Sequence, residues 1–237
     1  MKRYLAILLF VLLPVAVGAQ VRLSVDEKSV QVAGGKKMTT ERSICLLPDG
    51  RMVVEQHRPT HTITLTNTLG EVRIYTPATN DVAVINDKQL ASSKETIATF
   101  ASGSYMDMGL PMYGYNQSSI RNEEGLLIKT FTPEGTSMTT AKVELVFQNH
   151  LPICMIYYNS KGEAMRKLYF SHYQYDRLPI PMRITEIEYT PKRDSLVRLS
   201  TYSNLCFDGE AQSPLFDFQI PADAKHTNVD PAKLFGH

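Results

Sequence analysis

The chain has 237 residues, with 25 Lys and Arg against 24 Asp and Glu, for a formal net charge of +1. So even a balance, without a long run of one sign, argues against a nucleic-acid partner or an electrostatic hold on an anionic membrane. The length admits one or two domains, and an all-β chain of this size is commonly one.

Residues 1–19 read as a cleaved signal peptide: Lys2 and Arg3 precede an apolar run from Leu5 to Val17, interrupted by Pro14, and Val17-Gly18-Ala19 supplies the small residues. The run is too short for a spanning helix of ~20 residues. Residues 20–237 are then expected to be one exported, soluble β-domain. No cysteine follows the cleavage site, so a lipid anchor by the bacterial lipoprotein route is not expected. Cys45, Cys154 and Cys206 each sit in an apolar run, as buried small hydrophobes would; one disulfide with a spare thiol is the alternative.

Gln20 to Val32 is ambiguous, since Val21, Leu23 and Val25 alternate while EKSVQV could open a helix; an edge strand is expected. Gly34-Gly35 breaks the chain, and Thr39 to Leu47 runs as a strand into Pro48-Asp49-Gly50. The stretch from Gly50 to Asn86 then organises the fold. Ile63 and Leu65 alternate with threonines, and Val72 and Ile74 with Glu71, Arg73 and Tyr75. A period of two gives each strand one apolar and one polar face, and Asp49-Gly50, Leu69-Gly70 and Asn80-Asp81 mark reversals.

From Asp87 to Phe100 the pattern turns helical, with Leu90, Lys94, Ile97 and Ala101 three or four apart. GSYMDMGLPMYGYNQSS follows, irregular and rich in Gly, Met and Tyr. Its Met106, Met108, Leu110 and Met112 suit a surface accepting varied apolar shapes, or a core gap. From Glu123 seven strands are expected: LLIKTFTP, KVELVFQNH, LPICMIYYNS, AMRKLYFSHYQY, PMRITEIEY, SLVRLSTYSN and PLFDFQI, with Ala222 to His237 as a tail. The fold class is therefore mainly β, a large curved antiparallel sheet or incomplete barrel with a short helical, Met-rich lid. One short helix cannot cover a dozen strands, so the sheet either curls on itself or leaves an apolar hollow for a lipid or other apolar ligand.

Three stretches carry a resemblance. GRMVVEQHRP is a glycine-opened strand ending in Arg58-Pro59. AKVELVFQNHLPICMIYYNSKGEAMRKLYFSHY reads strand, Leu-Pro, strand, turn, strand. SPLFDFQIPADAK closes with Phe-x-Phe-x-x-Pro. Together they resemble the periplasmic lipoprotein-carrier family, the LolA/LolB-like outer-membrane lipoprotein-sorting proteins. The resemblance implies a half-barrel whose hollow holds lipoprotein acyl chains or another lipid. It also implies a periplasmic location and transfer from an inner-membrane donor towards an outer-membrane acceptor. Arg58 would latch the lid shut when the protein is empty, at the ~1.5–3 kcal/mol of a charge-assisted bond. The apolar contacts expected are Ile63, Leu65, Val72 and Ile74 from the sheet, and Met106, Met108, Leu110 and Met112 from the lid. A monomer without cofactor is expected.

No enzyme site is legible. His57 and His61 would lie about 13 Å apart in an extended chain, too far to share a metal. HExxH, GxSxG and phosphate-binding glycine loops are absent. Glu123-Glu124 and Glu186/Glu188 read as carboxylates of a solvated face or turn, and Asp107 in its Met-rich loop as a cap on a helix start, the alternative being contact with a ligand headgroup. The competing function is a non-catalytic module holding a protein or peptide partner, for instance along an edge strand.

Overall fold

The structure, a computed structural model, describes residues 21–87, 95–135, 139–190 and 194–228. The expected signal peptide and the first half of the expected helix, including Leu90 and Lys94, lie outside the described residues.

Among the described residues fourteen strands form one open, curved sheet. They are β1 (Leu23–Ala33), β2 (Lys36–Leu46), β3 (Met52–Arg58), β4 (Thr62–Thr66), β5 (Glu71–Thr76), β6 (Asp81–Asn86), β7 (Tyr115–Glu123), β8 (Leu126–Pro133), β9 (Lys142–Gln148), β10 (Leu151–Tyr158), β11 (Ala164–Tyr175), β12 (Pro179–Tyr189), β13 (Ser195–Phe207) and β14 (Lys225–Asn228). Their spatial order is β14-β6-β5-β4-β3-β2-β1-β13-β12-β11-β10-β9-β8-β7. Every neighbour is antiparallel except β14, which runs parallel to β6. The two ends of the sheet do not meet, so it is not a closed barrel.

Turn chemistry fixes the hairpins. Gly34 and Gly35 join β1 to β2 with φ of 54° and 74°, the double left-handed conformation of a two-residue hairpin loop. Asn149-His150 does the same between β9 and β10, with φ of 49° and 66°.

Three expectations are corrected. The segment from Gln20 is not an edge: β1 lies mid-sheet between β2 and β13, because it pairs with residues far along the chain. PLFDFQI is not a strand. Pro214–Asp217 form a 3-10 turn, capped by Ser213 Oγ accepting from the Leu215 N–H at 3.2 Å, and the chain continues as a strap across the sheet. The supposed tail then supplies β14, pinned where Asn80 Nδ2 donates to Asp223 Oδ2 at 3.0 Å. A strand missed by the sequence reading is β7, whose residues are almost all exposed and so show no apolar alternation.

Cross-strand partners share a face, which sorts the sheet into two. One face carries Leu23, Val25, Ile44, Leu46, Met52 and Val54, and on it sits the only described α-helix, α1 (Thr96–Ala101). Ile97, Ala98, Phe100 and Ala101 of α1 are buried there. The Phe100 ring meets those of Phe170 and Tyr173 edge-on, at 5.3 and 6.1 Å between centroids. The other face carries Cys45, Val53, Ile63, Tyr75 and Val82, covered by Leu215, Phe216, Phe218 and Ala224 of the strap. Cys45 and Cys154 are buried and Cys206 half-buried, and all three are free thiols.

Candidate functional site

The helix-bearing face holds the candidate site. Directly under α1, Leu23, Ile44, Met52 and Ile97 close on one another with no space for a water. Beside that plug, a cavity of 220 Å³ opens between α1, the turns after it and strands β10 and β11. Its walls include Met108, Leu110, Met155 and Leu168 as apolar surface, and Tyr157 and Arg166 as polar groups. The hollow expected to stand vacant is therefore largely filled by the helix, and the remaining space flanks it.

Two 3-10 turns, Ser104–Met106 and Leu110–Tyr113, shape the lid. Asp107 caps the reversal between them, its Oδ1 accepting the Gly109 N–H at 2.9 Å. That reversal divides the four lid residues named from sequence. Met108 and Leu110 are buried and line the cavity, while Met106 is exposed and Met112 is 75% exposed.

The four sheet residues also divide. Val72 and Ile74 stand opposite Thr66 and Thr64, and through them share the face of Met52 and Val54. They do not line the cavity beside α1. Ile63 and Leu65 point to the strap face, paired across strands with Tyr75 and Arg73. Leu65 lines a second cavity of 220 Å³ there, with Phe216, Phe218, Arg51 and Arg73. One parity error separates the pairs: β4 and β5 both alternate, and only the register between them tells which alternating sets coincide.

Arg58 stands at the end of β3, its side chain 73% exposed, with Nε 3.5 Å from Glu41 Oε2 on β2. Among the described residues its ion-pair partner is on the sheet. A cation that interacts with the residue before α1 is Arg42. Its Nε donates to Glu27 Oε2 at 2.6 Å, and Glu95, immediately before the helix, adds a second carboxylate field. Burial opposes the Arg42 charge, but Glu27 and Glu95 outweigh it and raise its pKa. Tyr202, cross-strand neighbour of Glu27, is pushed well up by burial and by the same two carboxylates.

This polar group continues across the sheet. Arg166 Nε lies 2.5 Å from Glu186 Oε1, and Arg198 Nη1 lies 3.5 Å from Glu186 Oε2. Glu27 is 4% exposed and Glu186 6%, so Glu186 is not the solvated carboxylate expected. A signal for it was present. In PMRITEIEY, Met182, Ile184 and Glu186 have the same parity, so the inward side of β12 passes from apolar to acidic within one strand. Among the described residues no group of three His, Cys, Asp or Glu could hold a metal ion. His57 meets Ser43 Oγ at 3.0 Å and His61 meets Glu55 at 2.8 Å, separately.

By sequence, the chain matches no family model and no curated protein. By structure it is similar to a LolA superfamily protein from Nitrosomonas europaea, with TM-score 0.55 and 14% identity over 78% of this chain and 86% of that one. A DUF1329 family protein from Desulfovibrio piger gives 0.54 and 18% over 82% and 88%. An outer membrane lipoprotein-sorting protein domain from Vibrio parahaemolyticus gives 0.53 and 13% over 81% and 87%. The chain has the LolA-type fold.

Proposed function

We propose that this protein is an exported, non-catalytic carrier that buries acyl chains beneath α1 and the turns that follow it. It would work in the periplasm as a monomer, moving lipoprotein acyl groups or another lipid towards the outer membrane between an inner-membrane donor and an outer-membrane acceptor. The observation that carries the reading is the 220 Å³ cavity beside a six-residue helix, walled by Met108, Leu110, Met155 and Leu168. Its place on a LolA-type sheet supports it. Burial returns ~0.8 kcal/mol per methylene, so a chain long enough to displace α1 can stabilise the opened state. In this reading the pull on the lid comes from Arg42 through Glu95, and Arg58 is a rim residue. Val72 and Ile74 would extend the apolar surface once α1 lifts.

The test is solvent extraction and mass spectrometry of the purified protein, followed by titration of the delipidated protein with a hydrophobic dye. A co-purifying acyl lipid and displaceable dye binding are expected. Clean protein that ignores the dye would overturn the proposal. A second reading rests on β7, which occupies one end of the sheet with most of its nine residues exposed. Such an edge can accept a partner's strand, and a peptide-dependent protection of β7 amides from hydrogen exchange would favour it.

A further inference from the structure

We propose that the cavity beside α1 takes a single acyl chain by its carboxyl end, with the carboxyl-derived oxygen received by the Tyr157 hydroxyl and the Arg166 guanidinium. This rests on the carrier reading above and adds to it which end of the ligand goes where, and how many chains fit.

The polar side of the cavity is incomplete in a particular way. The Tyr157 hydroxyl lies in the wall, and its hydrogen-bond partner is the Met155 thioether at 3.5 Å. A thioether is a weak acceptor, so this half-buried hydroxyl can turn to a better one at little cost to the fold. Burial, only partly countered by the Arg166 charge, also pushes this phenol's pKa up, so it stays a proton donor. Arg166 lies over the Tyr157 ring at 5.4 Å, placing both donors on one wall. Among the described residues it pairs with Glu186 at 2.5 Å and Glu188 at 3.8 Å, Nε making the contact in each. A guanidinium has five N–H donors, and those on its terminal nitrogens are the ones a ligand would use.

The surrounding charges decide what kind of acceptor fits. Glu186 and Glu188 balance Arg166, and Arg198 shares Glu186. The wall is therefore donor-rich without being strongly positive. That suits one or two oxygens of a carboxylate or an ester carbonyl better than a multiply charged head. Met108 and Leu110 from the lid, and Leu168 beside Arg166 on β11, offer the chain apolar contact, while Thr96, Thr99, Tyr113 and Tyr115 complete the lining. Size sets the count: 220 Å³ is about seven times the ~30 Å³ that a water occupies in the liquid. One short chain or the first part of a longer one fits, and several chains side by side do not while α1 stays docked.

Titration calorimetry with decanoate, methyl decanoate and decyltrimethylammonium tests this on the delipidated wild type and on Tyr157→Phe. That substitution removes one oxygen held only by a thioether, so an unchanged urea midpoint confirms that the fold is intact. Decanoate should bind at least tenfold more tightly than decyltrimethylammonium, which has the chain but no acceptor oxygen. Tyr157→Phe should weaken decanoate about tenfold and leave decyltrimethylammonium unaffected. Comparing decanoate with its methyl ester separates a free acid from an acyl ester as the ligand. Equal binding of decanoate by wild type and Tyr157→Phe, or of decanoate and decyltrimethylammonium by wild type, would overturn the carboxyl anchor while the carrier reading stood. Failure of the wild type to bind any of the three would remove both.

Discussion

Replacing Phe100 by Ala should weaken the protein and tighten its hold on an acyl chain at the same time. Phe100 is 0% exposed and packs its ring against Tyr105, Phe170 and Tyr173 at centroid distances of 6.2, 5.3 and 6.1 Å. Truncating a fully buried Phe costs ~3–5 kcal/mol, and the contacts with Phe170 and Tyr173 on β11 are among those that α1 gives up when it lifts. At ~0.8 kcal/mol per methylene, burying roughly four to six methylenes restores that loss. A ligand that binds only the lifted state has its affinity reduced by the rarity of that state. Even a third of the Phe100 contribution, about 1.4 kcal/mol, therefore corresponds to a tenfold gain in apparent affinity once it is removed. The assays are urea unfolding and displacement of a bound hydrophobic dye by a long-chain fatty acid. Should Ala prove too damaging, Phe100→Leu keeps most of the volume and loses chiefly the ring contacts, each worth ~0.5–1.5 kcal/mol. A lowered urea midpoint with unchanged or weaker displacement would show that α1 is fixed core and does not yield to a ligand.

Glu186→Gln should destabilise by ~1–3 kcal/mol, because Arg166 and Arg198 lose their shared partner. The cost stays below that of a fully buried pair since those two side chains are 39% and 42% exposed; urea unfolding at low and high salt measures it. Burial raises the pKa of Glu144, but hydrogen bonds from Tyr158 at 2.9 Å and Lys142 at 3.1 Å, with the charges of Lys142 and Arg121, bring it below the usual 4.5. Its stabilisation is therefore complete above pH 4.5 and lost as pH falls through the lowered value. Glu144→Gln should be less stable than wild type at neutral pH, and the gap should close in acid; a constant gap across pH 3 to 7 would refute the assignment. Burial lifts the Cys154 thiol to about 11 and raises that of Cys45. A thiol reagent at pH 8 should label half-buried Cys206 rapidly in the native protein and all three cysteines only after unfolding.

Much of the sheet was legible because period and turn agree. The β4 and β5 alternation, the Gly34-Gly35 break and the six strands from Leu126 to Phe207 all appear where local pattern places them. What stayed hidden depends on pairing between distant residues. β1 reads as a strand from its own residues, but its central position comes from contact with β13, as when Val32 meets Val197. β14 is the four residues Lys225–Asn228 with no apolar pattern, and it is a strand only because β6 is beside it. β7 has almost no buried side, so hydrophobic alternation cannot report it. The site followed the same rule. Met108 and Leu110 were identified from composition and do line the cavity, whereas Ile63 and Leu65 share a pattern with Val72 and Ile74 without sharing a face. Tyr157 and Arg166 went unremarked because neither forms a motif; the β10–β11 register makes them neighbours.

An open sheet this wide has two apolar faces to cover, and the way each is covered argues for where a ligand enters. The strap is tied into the sheet itself, through the β14–β6 ladder, the Lys225 N–H to Asn80 carbonyl bond at 2.9 Å and the Asn80–Asp223 contact. Moving it would break backbone pairing as well as apolar packing. The helix α1 has no strand ladder holding it. Six residues long, with no side-chain cap at its start, it rests on Ile97, Phe100 and their neighbours and is followed by a turn through Gly109 at φ 67°. Side-chain contact of that kind is the kind another apolar chain can replace nearly one for one, because burial is non-directional and scales with area. Both cavities have the same 220 Å³ volume, so volume does not choose between them. The difference lies in the cost of enlarging them, and that cost is lower under α1.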